Sequence, residues 1–422
     1  MTRRRGAVVA VGVGAAAVLA LSSLLVATRG NAGTRPLTVG AVFPVRGMQS
    51  ALGLEELRGV RIAAQMVNQD GGVGGRPVQL AVRDLETRQQ AAGAVAAVKA
   101  AGAQVVVGAF SSQLSMPAAA AAAHDGIVYW EAGAVVDRLT GSSPLVFRIG
   151  ATGGDLGDNS GRFAATVLSP RLGLTPQHTR VAVLYENDAY GQSVADASLA
   201  SARAAGMPIV ARMAYDYYAP HWSSVLAQLA TVHPDVLILA SYIPDGIAFR
   251  RAMLASGLHV GAMIGSTMAE CGPTFGNELG PQAVGVFASD RPEGGFNADA
   301  LNSVGAAAYA RLTAAWKAQT GEPAPSEEGL AGFSAGWALF HYVLPRAHDL
   351  DAAGVATAAR TLTLPTGTLP NGAGVHFGTG AQLGQNTLAA AVIWQWQSSG
   401  HSVVVWPPTY ATGTPRLIPL PA

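Results

Sequence analysis

The chain has 422 residues, half of them hydrophobic, with a net charge of +1 and 13% charged side chains. That length exceeds one ordinary domain, so two lobes are the natural reading, and the composition is that of a globular chain rather than a disordered one. No Lys/Arg cluster beyond Arg3–Arg5 offers a face to nucleic acid, and the single cysteine, Cys271, rules out an internal disulfide and a cysteine-built zinc site.

Residues 1–33 read as a signal peptide or membrane anchor. Thr2-Arg3-Arg4-Arg5 precedes the uncharged stretch Gly6–Ala27, which as a helix of ~1.5 Å rise per residue spans roughly 33 Å, enough to cross a bilayer core. Basic residues ahead of such a stretch keep the N-terminus cytoplasmic. Gly30 and Ala32 are small residues at the −3 and −1 positions of a cleavage site after Ala32, and Arg3-Arg4 is a weak twin-arginine signal. The expected location is secreted or extracytoplasmic, anchored to the membrane if Gly6–Ala27 is retained.

A first alternating series follows. Strands are expected at Leu37–Phe43, Val78–Asp84, Val105–Gly108, Ile127–Trp130 and Val146–Ile149, with helices at Leu54–Gln69, Arg88–Ala101 and Ser115–Ala123. A second series has strands at Val181–Tyr185, Ile209–Tyr215, Val236–Ala240, Met263–Gly265 and Val284–Phe287. Its helices are Gly191–Ala205, Trp222–Leu229 and Asp245–Ser256. The strands are continuous apolar runs, as in sheets covered by helices on both faces. Two long helical patterns then follow, Asp299–Thr320 and Ser326–Leu344, the second capped by Ser326 with Glu327 and Glu328 in its first turn. Two last strands, Leu388–Trp396 and Ser402–Trp406, flank Gln397–Gly400.

Between the first helix and second strand lies Gly71-Gly72-Val73-Gly74-Gly75-Arg76-Pro77, and the strand after it ends in Asp84. Gly71 and Gly72 suit a left-handed helix end, Gly74 and Gly75 a second tight turn, and Pro77 sets φ at the entry to the sheet. This strand-helix-strand unit resembles the first unit of the type I periplasmic binding proteins that serve branched-chain amino acid, amide and urea transporters. The resemblance covers residues 37–410. It implies an α/β fold of two doubly wound lobes, a Venus-flytrap with three hinge crossovers near Ile149, Ser289 and Asn386. Lobe one would comprise 37–149 and 289–385, and lobe two 150–288 and 386–422. The implied function is capture of a small polar ligand in the inter-lobe cleft and its delivery to a membrane permease of an ABC transporter, with no catalysis, cofactor or metal.

Site residues follow from strand ends, since ligands of open α/β sheets bind beyond the carboxyl ends of the strands. Ser111 and Ser112 follow Val105–Gly108 at the place where the family holds a ligand carboxylate; a plain helix cap is the alternative for Ser112. Trp130, Glu131, Ala132 and Gly133 end the next strand, with Glu131 as a partner for a ligand ammonium and Trp130 as a cation–π surface, or Glu131 simply solvated. Asn187-Asp188-Ala189-Tyr190-Gly191 is similar to the family's Asp/Asn-x-x-Tyr-Gly signature, which puts Tyr190 in the cleft. Ser241-Tyr242 matches the next lobe-two position, and Glu270 stands a few residues late for the family's ammonium-binding acid.

Two other functions deserve comparison. An anchored sensor of the same fold would have about five cytoplasmic residues ahead of Gly6 and would have to signal through a partner. A secreted Ser hydrolase would rest on Gly332-Phe333-Ser334-Ala335-Gly336 with Asp349 and His376 following. That chemistry needs a strand-to-helix elbow, and the residues before Ser334 read as helix. The ligand itself stays open among amino acids, amides, urea and aromatic acids.

Overall fold

The computed structural model describes residues 35–267 and 272–421. The expected signal or anchor segment, Glu270 and Cys271 lie outside the described residues. Among the described residues no helix is long and apolar enough to cross a membrane.

The first series builds a five-stranded sheet from β1 (Leu37–Phe43), β2 (Val78–Asp84), β3 (Val105–Gly108), β4 (Val128–Glu131) and β5 (Val146–Arg148). Its order is β2-β1-β3-β4-β5, and every neighbouring pair is parallel. The second series repeats that order with β6 (Val181–Glu186), β7 (Ile209–Tyr215), β8 (Val236–Ala240), β9 (Ala262–Ser266) and β10 (Phe287–Asp290). A two-stranded ribbon, β11 (Thr363–Leu364) with β12 (Val375–His376), precedes the antiparallel pair β13 (Val392–Ser398) and β14 (His401–Trp406). β13 joins the second sheet antiparallel to β10, giving seven strands in the order β14-β13-β10-β9-β8-β6-β7. The result is an α/β fold of two lobes with parallel-dominant sheets. In each sheet the strand order reverses once, between β1 and β3 and between β6 and β8, and a crevice opens beyond the carboxyl ends at such a point.

The glycine-rich unit forms as its residues dictate. Gly72 has φ +76° and a Cβ on it would lie 2.2 Å from the Arg76 carbonyl oxygen. Asp84, at the end of β2, accepts from the Val45 N–H at 3.0 Å and from Arg46 Nε at 2.7 Å, tying together the carboxyl ends of β1 and β2.

The chain leaves the first sheet after β5 and runs back from it toward β13 through Gln385 and Asn386. These segments lie side by side: Arg148 Nε donates to Gln385 Oε1 at 2.6 Å, and Asn386 Nδ2 donates to the Ile149 carbonyl at 3.0 Å. Two strands start later than their apolar runs. Val284-Gly285-Val286 is interrupted by Gly285 at φ +94°, so β10 begins at Phe287, and β13 begins at Val392 rather than Leu388. Three helices lie outside the predicted set: Gly153–Phe163, Pro273–Leu279 and Ala352–Thr361. Helix Gly153–Phe163 exists through close approach. A Cβ on Gly157 would sit 2.3 Å from the Val194 carbonyl oxygen, and one on Gly161 2.6 Å from Ser201 Cβ, both on helix Ala189–Ala204.

Candidate functional site

The carboxyl ends of both sheets converge on one small cavity of about 20 Å³, room for about one water. From the first sheet come Phe110, Ser111 and Ser112 after β3, and Gly133, Ala134 and Val135 after β4. Tyr190, Tyr242 and Thr267 face them from the second sheet, and Arg291, Glu327 and Glu328 complete the wall. Tyr242 also borders a larger cavity of about 410 Å³, between Met48, Gln49 and Glu86–Gln89 on one side and Tyr217, Tyr218 and Pro244 on the other.

Ser111 precedes helix Ser112–Asp125, with extended backbone at φ −90° and ψ 153°. Its hydroxyl is buried and has no hydrogen-bond partner. The Ser112 hydroxyl accepts from the Val136 N–H at 3.2 Å, so it joins two loops and does not cap its own helix.

The second-sheet face is neutral and internally bonded. The Tyr190 hydroxyl donates to the carbonyls of Ser266 and, at 3.2 Å, Ser241, while the Thr267 hydroxyl donates to it at 2.8 Å. Tyr242 lies against Tyr190 with ring centroids 5.3 Å apart. Its hydroxyl donates to Asp188 Oδ2 at 2.5 Å, and Asp188 Oδ1 caps helix Ala189–Ala204 by accepting from the Gly191 N–H at 2.8 Å. Burial and the Asp188 carboxylate raise the Tyr242 phenol well above its usual range.

Trp130 and Glu131 need correction as ligand contacts. Trp130 is fully buried in the first lobe, its ring 5.7 Å from Phe147 and 5.5 Å from Phe377, and its Nε1 donates to the Ala335 carbonyl at 2.9 Å. An indole so placed is core. Glu131 is buried, not solvated. Its Oε1 accepts from the N–H groups of Ala132, Gly133 and Ala134 at 2.8–3.0 Å, and its Oε2 from the Tyr129 hydroxyl at 3.0 Å. The carboxyl folds back over its own loop, leaving no arm for a ligand ammonium. Ala132 does not line the cavity with its side chain; its carbonyl accepts from Arg291 NH1 at 3.2 Å. Gly133 does line it, and no larger residue fits: a Cβ there would be 2.4 Å from Glu56 Oε2 and 2.7 Å from the Phe110 carbonyl oxygen. The position of Glu270 lies outside the described residues.

The site also contains residues that no sequence motif marked. Arg291, one residue past β10, donates from NH1 to the Gly133 carbonyl at 2.7 Å and pairs through Nε with Glu327 at 2.5 Å and Asp290 at 3.5 Å. Burial opposes its charge, but Glu327 and Asp290 outweigh burial and hold the guanidinium above its usual value. Burial raises Glu327 and Glu56 well above the usual carboxylate range against the pull of Arg291, and pushes Glu328 up to about 7. No local pattern in the sequence marks these carboxyls as a group, because Glu56 and Glu328 meet only when helices Ser50–Gln69 and Glu327–Trp337 pack.

That packing also settles the G-x-S-x-G motif. Gly332, Ser334 and Gly336 lie inside helix Glu327–Trp337, with no strand before them. A Cβ on Gly332 would be 2.0 Å from the Glu56 carbonyl oxygen, and one on Gly59 2.1 Å from that of Gly329. The small residues let two helix backbones touch. A nucleophile elbow is a strand-to-helix turn, which this is not.

The comparisons with known proteins agree with this architecture. The chain is 29% identical over 410 residues to the Leu/Ile/Val-binding protein homolog 8 of Brucella suis, covering 96% of this chain and 98% of that protein. The branched-chain amino acid transporter substrate-binding protein LivJ of Streptococcus pneumoniae, solved with isoleucine, superposes with a TM-score of 0.72 at 18% identity, over 88% of this chain and 100% of its own. A solute-binding protein of an R. palustris ABC transporter, solved with benzoate, gives 0.71 at 20% identity, over 91% and 99%. The pattern of the family described as periplasmic binding protein matches residues 36–401, and the chain belongs to that family of binding proteins.

Proposed function

We propose that this chain is the extracytoplasmic solute-binding component of an ABC transporter, closing two lobes over a small amino acid or related ligand and presenting the closed form to a permease. Lobe one would be 37–149 with 289–385, lobe two 150–288 with 386–422, and the connections near Ile149, Ser289 and Asn386 would bend between open and closed states. One observation carries this reading. Loops from the carboxyl ends of two separate sheets, bearing Ser111, Gly133, Tyr190 and Tyr242, enclose one cavity although those residues lie far apart in sequence. A site made of two lobes gains its hydrogen bonds when the lobes close, so ligand binding and closure are one event. The names of its relatives supply the ligand class: leucine, isoleucine and valine for the Brucella suis homologue, isoleucine for the Streptococcus pneumoniae protein. Residues 1–33 would carry the chain across the membrane and either leave it or remain as its tether.

The test is a thermal-shift screen of the full chain against amino acids, amides, urea and aromatic acids, followed by calorimetric titration of every hit. A ligand at 100 times its Kd stabilises the folded chain by about 2.7 kcal/mol. Ser111→Ala should weaken the hit by about 1–3 kcal/mol, the cost of leaving a buried polar group short of a partner. Stabilisation by no small molecule in the panel, or a hit unaffected by changes at Ser111 and Tyr190, would remove the reading.

A further inference from the structure

The cavity of about 410 Å³ beside Tyr242 has the size of a small-molecule site, about 300–1,000 Å³. Three tyrosines line one side of it. Tyr217 and Tyr218 follow β7, and Tyr242 follows β8. The Tyr217 ring stands at 86° to that of Tyr218, with centroids 5.1 Å apart, and at 90° to that of Tyr242, with centroids 5.8 Å apart. Rings set at right angles around one space are the walls of a box. Met48, after β1, closes it from the far side, where its Sδ accepts from the Tyr217 hydroxyl at 3.0 Å.

The charge behind these rings has one sign. The Tyr242 hydroxyl donates to Asp188 Oδ2 at 2.5 Å, and the Tyr218 N–H donates to Asp216 Oδ1 at 2.8 Å. Asp245 accepts from the Tyr215 hydroxyl, and Glu186, at the end of β6, is buried with its Oε2 lacking a partner. Burial, then the neighbouring Asp188, Asp245 and Asp216, push Glu186 up to about 8. On the far side the charged residues lining the cavity are Glu86 and Arg88, which offset each other. A phenol that donates to a carboxylate gains electron density in its ring, and an electron-rich ring face attracts a cation. A purely apolar occupant would draw nothing from this field.

We propose that this cavity seats a methylated ammonium group of the captured solute against Tyr217, Tyr218 and Tyr242. The inference rests on capture of a solute between the two lobes, and it makes that solute a quaternary amine. The kind of cation follows from the acceptors at hand. A primary ammonium brings three N–H donors, and burying them unanswered is costly. Asp188 already accepts from Tyr242 and from the Gly191 N–H, and Asp216 from Tyr218, so these acids supply field rather than new hydrogen bonds. A quaternary ammonium has no donor to satisfy, and aromatic cages are the usual way to hold one.

Isosteres decide it. The full chain is screened by thermal shift with choline, glycine betaine, the twenty common amino acids, benzoate, acetamide and urea. Choline and glycine betaine are then titrated calorimetrically beside 3,3-dimethylbutan-1-ol and 3,3-dimethylbutanoate, which replace the charged nitrogen by carbon and keep the shape. At least one of the two cations should bind, and at least about tenfold more tightly than its neutral counterpart. Tyr218→Leu should weaken that cation at least about fivefold, and Tyr218→Phe, which keeps the ring, should recover most of the loss. Tyr218 is 87% exposed, so its replacement leaves the core untouched; Tyr217→Leu should act in the same direction. Equal affinity for cation and isostere would make the cavity an apolar pocket, and full cation affinity in Tyr218→Leu would move the cation elsewhere. Either result, or a shift from an amino acid, benzoate, acetamide or urea with none from choline or glycine betaine, overturns this inference and leaves capture between the lobes standing. A shift from nothing in the screen overturns both.

Discussion

The two walls of the cavity are built on opposite plans. The second-sheet wall is made of hydroxyls, Tyr190, Tyr242 and Thr267, that hold one another and nearby carbonyls or Asp188. On the opposite wall, Ser111 and Glu328 have oxygens left open, with Glu327, Glu56 and, from the end of β10 in the second sheet, Asp290 and Arg291 crowded behind. The closed network is a preformed rigid surface, and the open one is where a ligand would exchange water for protein partners. Changes on the neutral wall should therefore register mainly as lost packing and hydrogen bonds. Changes on the charged wall should register as charge imbalance.

The largest expected effect follows from removing the shared cation. Arg291→Met leaves Asp290 and Glu327 facing each other in a buried setting and frees the Gly133 carbonyl. Loss of one partner from a buried ion pair costs about 3–5 kcal/mol, measurable as a lower urea midpoint. An unchanged midpoint would show that the cluster lives in its protonated form.

Glu131 tests the same contrast within a single wall. Glu131→Ala strips acceptors from three N–H groups and should destabilise by about 1–3 kcal/mol in the same titration. Glu131→Gln keeps an acceptor and should leave ligand affinity unchanged; a large loss of affinity would return Glu131 to the ligand site.

A pH dependence should follow from the charged wall. Glu328 is raised in the folded chain to about 7 from 4.5, so between these values the folded state binds more protons than the unfolded state. Its stabilising contribution is fully present below about 4.5 and is lost as pH rises through about 7. The melting temperature without ligand should be higher at pH 5.5 than at pH 8, and Glu328→Gln should narrow the gap. A wild-type gap that the variant leaves intact would place the titration elsewhere, with Glu293, also raised by burial to about 7, as the next group to replace.

The smallest effect belongs to the neutral wall. Tyr190→Phe deletes a hydroxyl that joins Ser266, Ser241 and Thr267 and should cost about 0.5–1.5 kcal/mol of stability, the net value of an ordinary hydrogen bond. A loss as large as that of Arg291→Met would erase the contrast between the walls.

Much of the architecture was legible because short apolar runs bounded by turn residues are a local signal. β1, β2, β3, β7 and β8 start and stop where those runs do. Ser111, Gly133, Tyr190 and Tyr242 could be placed because each lies just beyond a strand. Trp130 and Glu131 were misplaced for the same reason: position past a strand does not say where a side chain turns. Trp130 finds Phe147 and Phe377, which come from β5 and from just after β12, and Glu131 turns onto its own loop. The Glu56, Glu328 and Arg291 arrangement depends on three segments meeting, and its members read singly as ordinary helix or loop charges. Glu327 and Glu328 do occupy the first helical turn, as their spacing implied, but their burial comes from tertiary packing.

Helix Gly153–Phe163 starts at a reciprocal cap, the Thr152 hydroxyl accepting from the Asp155 N–H at 2.9 Å and Asp155 Oδ2 from the Thr152 N–H at 2.8 Å, but its body is poor in helix-forming residues. Glycine weakens helices in isolation, and Gly153, Gly154, Gly157 and Gly161 make up four of its eleven positions. Its order is lent by helix Ala189–Ala204, which begins beside Tyr190 at the cavity, and by the Ser289 hydroxyl, which donates to the Leu156 carbonyl at 2.8 Å. The two helices should accordingly exchange their amide hydrogens as one cooperative unit, with the glycine-rich helix unable to outlast its partner. A molecule held at Tyr190 would then slow exchange along Gly153–Phe163, a segment with no residue in the cavity wall.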